Sequence, residues 1–137
     1  WRGGSVPTGA KWEKASRGSD GRSYPWGDGN DCEKTNYNNC KGDTIVVGSY
    51  ESGKSPYGIY DLAGNVWEWV ADWYSETYYE NSPSENPLGP NSGQYRVMRG
   101  GSWYDYGFSV RATTRGYVSP VFTNNYVGFR CVRDAYP

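Results

Sequence analysis

Histidine is absent from the 137 residues, and methionine occurs once. Without imidazole, neither a Ser-His-Asp nor a Cys-His nucleophile can be assembled from this chain. Clustered Lys and Arg are missing too. The 14 basic and 15 acidic residues are dispersed and leave a net charge of −1, which is not the footprint of a nucleic-acid surface. No apolar run approaches the ~20 residues of a membrane span. Leu, Ile and Ala are scarce, which argues against an ordinary helical core. The chain opens at Trp1 without a Met, so its start reads as that of a fragment or processed product, and targeting is not legible.

What is abundant is aromatic or turn-forming: 14 Tyr, 7 Trp, 19 Gly and 8 Pro. A core must then be built from rings, with long loops shaped by Gly and Pro. At this length one domain, or part of one, is expected. A loop-rich domain of this kind needs extra pins, such as disulfides, metals or side-chain bonds to loop backbone. Three Cys are present. Cys32 and Cys40 lie in one Asn- and Gly-rich loop, close enough to bridge, and Cys131 is left over; three free thiols are the alternative. The bridge favours an oxidising compartment, hence an extracellular or cell-surface location.

Residues 57–73 are the longest mostly apolar stretch, with Asp61, Glu68 and Asp72 among Trp67, Trp69 and Trp73. Carboxylates there need partners, so a bound cation is considered; otherwise Asp61 caps a turn and Glu68 pairs with an Arg. Elsewhere, residues 6–17 read as a helix, with Thr8 as N-cap, Gly18 as its end, and Ala10, Trp12, Ala15 and Ser16 as its buried face. Strands are expected at the β-branched Thr44–Ser49, at Val66–Trp73, at Arg96–Trp103 running into Gly100-Gly101, within Ser109–Arg115, and at Gly128–Arg133 with Phe129 and Cys131 inside.

Several segments occur together: Val6-Pro-Thr, Trp12-Glu-Lys-Ala, Tyr24-Pro-Trp-Gly, Gly58-Ile-Tyr-Asp-Leu-Ala-Gly-Asn-Val-Trp-Glu-Trp, Arg96-Val-Met-Arg-Gly-Gly-Ser-Trp and Gly128-Phe-Arg-Cys. In this order they resemble the formylglycine-generating enzyme (sulfatase-modifying factor) family over nearly the whole chain. The resemblance implies an α+β, C-type-lectin-like fold with a small twisted antiparallel sheet, few short helices and much irregular loop. It also implies one domain over 1–137 that lacks its N-terminal portion. Cys131 would then pair with a Cys preceding Trp1.

The family's central motif resembles a structural calcium site, implying side-chain ligands from Asp61 and Glu68 and carbonyl ligands from Gly64 and Val66. Calcium takes ~6–8 oxygens, including carboxylates and the carbonyls of a tight turn. A second site would use Asn38, Asn39 and Asp43. The family's oxidase binds copper(I) through two Cys beyond Gly-Gly-Ser, since thiolates suit that soft ion. Asp105 and Val110 stand at those positions here, and the His used by related iron-dependent sulfoxide synthases is absent. The resemblance therefore points to a member without that catalysis.

Residues 104–127 contain no Lys, Glu, Gln, Met or Trp, the five residues that codons ending in a pyrimidine cannot encode. This resembles the variable proteins of diversity-generating retroelements, which share this fold and vary between similar flanks. The corresponding positions are Tyr104, Asp105, Tyr106, Phe108, Ser109, Gly116, Tyr117, Val118, Ser119, Val121, Phe122, Thr123, Asn124, Asn125 and Tyr126. Tyr with Ser, Gly and Asn is also the mixture of antibody loops. The expectation is a non-catalytic, calcium-stabilised module displaying a binding surface to a protein or glycan. The alternatives are an enzyme whose missing groups come from elsewhere and a subunit of a surface assembly.

Overall fold

The computed structural model describes residues 3–29 and 31–133; Trp1 lies outside them. Helix α1 covers Gly9–Arg17, with Thr8 Oγ1 accepting from the Lys11 N–H and Gly18 as its C-cap. Four strands follow: β1 Trp67–Trp73, β2 Arg96–Arg99, β3 Arg115–Val118 and β4 Val127–Phe129. Their order is β3-β2-β1-β4. β1 pairs antiparallel with β2 and parallel with β4, so the sheet is mixed rather than wholly antiparallel.

β1 turns its carboxylates inward. Glu68, Val70 and Asp72 are buried; Glu68 and Asp72 both bond α1, while Val70 joins Trp12, Leu62 and Val97 in the core beneath it. Arg99 of β2 is also buried against the helix, where its guanidinium lies over the Trp12 ring and pairs with Glu13. A second core joins Tyr24, Ala63 and Val110. Leu62 and Ala63 are adjacent, so the turn that carries them feeds both cores.

Several expected elements take another form. Thr44–Ser49 is not a strand: both backbone groups of Ile45 bond the Asn65 side-chain amide, and Val46 and Val47 are exposed. β2 stops at Arg99 because Gly100 and Gly101 adopt φ of 94° and 68°. The strand expected within Ser109–Arg115 begins only at Arg115, where pairing with Arg99 becomes available. β4 is cut short after Phe129 because Arg130 leaves the ladder to bond Glu68. Phe129 and Cys131 are exposed, not interior. On α1, Trp12 and Ser16 are buried, whereas Ala10 and Ala15 are half-buried.

Candidate functional site

The turn after residue 60 is shaped by three left-handed residues, Asp61, Gly64 and Asn65, with φ of 57°, 70° and 67°. Only glycine fits at 64: a Cβ there would stand 2.3 Å from the Asn36 carbonyl oxygen. Asp61, Gly64, Val66 and Glu68 all border one cleft of about 510 Å³, together with Tyr60, Phe129 and Arg130. Thus the four residues expected to ligate calcium border one cleft.

Glu68 Oε2 accepts from Trp12 Nε1 and Arg130 Nε, each at 2.7 Å, and Oε1 accepts from Arg130 Nη2 at 2.5 Å. Three of the roughly four acceptor positions of a carboxylate are thereby used. Arg130 Nη2 also donates to the carbonyls of Tyr60 and Asp61. Asp61 Oδ2 accepts from the Gly48 N–H at 2.7 Å. Asp61 has no ion pair among the described residues. Burial, and after it the Asp61 charge, push the Tyr50 hydroxyl up. Among the described residues no three His, Cys, Asp or Glu cluster. A cation here would draw on the Asp61 carboxylate and the Gly64 and Val66 carbonyls, all-oxygen chemistry that suits calcium, and would share Glu68 with the Arg130 guanidinium.

The second expected site is arranged otherwise. Asn38 and Asn39 adopt φ of 47° and 60° with exposed side chains. Their N–H groups donate to the carbonyls of Asp105 and Trp103, both at 2.8 Å. Asp43 Oδ1 accepts from its neighbour Thr44. The Cys32–Cys40 disulfide is present, with Cα atoms 5.7 Å apart.

The two positions expected to correspond to the oxidases' copper ligands are built into the scaffold. Asp105 Oδ2 accepts from Trp67 Nε1 at 2.8 Å, from the Ser102 N–H at 3.1 Å and from the Ser102 hydroxyl. Val110 is fully buried against Tyr24 and Ala63. Neither side chain supplies a thiolate, so these residues do not fit copper(I). Cys131 lies elsewhere, beside Val6, Trp69 and Phe129.

Between them the segment 104–127 presents apolar side chains outward. Tyr104, Tyr106, Phe108 and Val121 are 63, 66, 65 and 85 % exposed. Tyr117, Ser119, Thr123, Asn124 and Asn125 are also exposed. Asp105, Gly116, Val118, Phe122 and Tyr126 are half-buried, and Ser109 is buried. Tyr117 stacks on Tyr74, with ring centroids 3.8 Å apart. Trp67 anchors the segment at three points: its indole N–H bonds Asp105, its ring lies against Gly116, and its backbone N–H bonds the Tyr126 carbonyl.

Sequence reasoning missed the anchoring role of Trp67 and the main-chain role of Asn38-Asn39; the alternative that Glu68 pairs with an Arg is realised, with Arg130 as the partner. The signals were there in part: Arg130 stands in the Gly-Phe-Arg-Cys segment, and consecutive Asn residues tolerate left-handed backbone.

Residues 1–135 match the model of the sulfatase-modifying factor enzyme 1-like domain. The chain belongs to this family. It is 44% identical over 137 residues to the serine/threonine-protein kinase Pkn1 of Chlamydia trachomatis, covering 98% of this chain and 22% of that protein. It is 38% identical over 155 residues to the formylglycine-generating enzyme of Streptomyces coelicolor, covering 98% of this chain and 48% of that enzyme. Among solved structures, Treponema denticola variable protein 1 superposes with a TM-score of 0.83 at 32% identity, over 93% of this chain and 46% of that one. This sulfatase-modifying-factor-like chain thus spans half or less of these relatives, and its fold is of the C-type-lectin-like type seen in its structural neighbours.

Proposed function

We propose that this chain is a non-catalytic, calcium-stabilised binding module that displays residues 104–127 to a protein or glycan ligand at the cell surface or outside the cell. The observation that carries the reading is the state of positions 105 and 110. A hydrogen-bonded Asp and a core Val stand where the oxidases hold their thiolates, while the aromatic side chains around them face solvent. Similarity to Treponema denticola variable protein 1 supports the display reading. The shared cleft of Asp61, Gly64, Val66 and Glu68, with the Asp61 charge unmatched by an ion pair among the described residues, supports a calcium ion bound there. Such an ion would hold the Asp61 turn. The disulfide supports an oxidising location.

Similarity to formylglycine-generating enzymes favours an oxidase as the rival. One assay separates the two. The protein is loaded with copper(I) and incubated with a Cys-containing sulfatase peptide under oxygen. No aldehyde product is expected, and aldehyde formation at catalytic turnover overturns the proposal. For the metal, a chelator is expected to lower Tm by about 5 °C or more, the size of a ligand bound well above its Kd. Asp61→Ala should abolish that response, and an unchanged melt removes calcium from the account.

A further inference from the structure

The loop closed by Cys32–Cys40 contains no helix or strand, yet it makes three main-chain bonds across the molecule, one of them accepted by the Asn36 carbonyl from the Asn65 N–H. Asn38 and Asn39 donate to the carbonyls of Asp105 and Trp103. Consecutive N–H groups can aim at one neighbouring segment here because both residues are left-handed, with φ of 47° and 60°. The corner is held on its other flank by the bond from the Cys40 N–H to the Tyr37 carbonyl, 2.8 Å long, and by the disulfide itself.

Trp103–Asp105 is held by other contacts as well. The Trp103 N–H donates to the Asn65 carbonyl at 3.0 Å, and the Asp105 carboxylate is fixed by Trp67 and Ser102. Tyr104, between these two clamped residues, projects into solvent. An exposed ring on a fixed backbone binds at a smaller entropic cost than one on a mobile loop.

We infer that the disulfide-closed loop is a positioning element for the root of the display segment, acting through the main chain of Asn38 and Asn39 rather than through their side chains. The benefit to ligand affinity rests on the binding-module reading; the positioning itself does not.

Amide hydrogen exchange on the full chain tests this without any ligand, so its outcome is independent of whether 104–127 binds anything. Disulfide loss, by reduction or in Cys32→Ser/Cys40→Ser, is expected to speed exchange at residues 38–39 and 103–105 by about ten-fold or more. The β1 amides should be unchanged, as for a local opening. Asn38→Gly/Asn39→Gly keeps the left-handed backbone and should hold 103–105 within about three-fold of the parent. Asn38→Val/Asn39→Val, which resists that backbone, should reproduce disulfide loss. Unchanged exchange at 103–105 after disulfide loss overturns the inference. So does a uniform rise that includes β1, or a Gly pair that behaves like the Val pair.

Discussion

Glu68 and Asp72 sit four residues apart on the buried side of one strand, and their surroundings treat the negative charge differently. Glu68 meets a guanidinium and an indole N–H. Removing its charge strands Arg130 against two carbonyls, so Glu68→Gln should lose about 3 kcal/mol in urea unfolding, the lower range for breaking a buried pair. Asp72 Oδ2 accepts from the Gly9 N–H at the start of α1, at 2.6 Å, and has no ion pair among the described residues. Burial outweighs that bond and the Arg99 charge, and pushes the Asp72 carboxyl above its usual 3.8. A carboxyl raised in the folded state favours folding when protonated, and that advantage is lost as pH rises through the raised value. Asp72→Asn keeps an oxygen for Gly9 and carries no charge. It should therefore match the parent below pH 3.8 and exceed it in stability at pH 7. A parent that is the more stable at pH 7 would refute this account of the burial cost.

At the scale of elements, what the sequence made legible depended on how local the cause was. α1 carries its own start and stop in Thr8 and Gly18, and β1 declares itself by alternation; both occur where expected. Thr44–Ser49 has strand composition but no strand partner, because a side chain, Asn65, occupies the backbone groups of Ile45. That pairing spans 20 residues and leaves no trace in local pattern. The four residues proposed to hold calcium border one cleft because they belong to one turn and its exit, whereas Arg130 reaches Glu68 from 62 residues away. Gly64 stands where these long-range contacts converge, pressed on Asn36 and Thr35 while its N–H bonds the Gly100 carbonyl. Gly64→Ala adds a Cβ at φ 70° and 2.3 Å from a carbonyl oxygen. The backbone must shift, and a loss of about 3 kcal/mol or more is expected in thermal or urea unfolding.

Across the whole molecule, core and outward-facing side chains alternate within the segment proposed for display: Val110 and Ala112 are fully buried, whereas Tyr104, Tyr106 and Phe108 face solvent. The helix core around Trp12 and the smaller core around Val110 are closed, and Trp67 ties the outward segment to the sheet at Asp105, Gly116 and Tyr126. Composition indicated that 104–127 is unusual, but not that Asp105 and Ser109 within it point to the scaffold; the three-dimensional path separates those from the side chains facing out. This separation makes a sharp prediction. Tyr104, Tyr106 and Phe108 are each more than half exposed, and replacing all three by Ala removes rings without opening a cavity. Surface substitutions of this kind stay within about 0.5 kcal/mol each, so the triple variant should melt within a few degrees of the parent. Exposed Tyr at the centre of a binding surface is typical of hot spots, where truncation costs about 2 kcal/mol or more per residue. Against any ligand recovered from protein and glycan arrays with the parent chain, the triple variant should therefore lose about 100-fold or more in affinity. Full binding by a folded triple variant would move the ligand face away from this segment. A large drop in Tm would instead show that these rings belong to the fold.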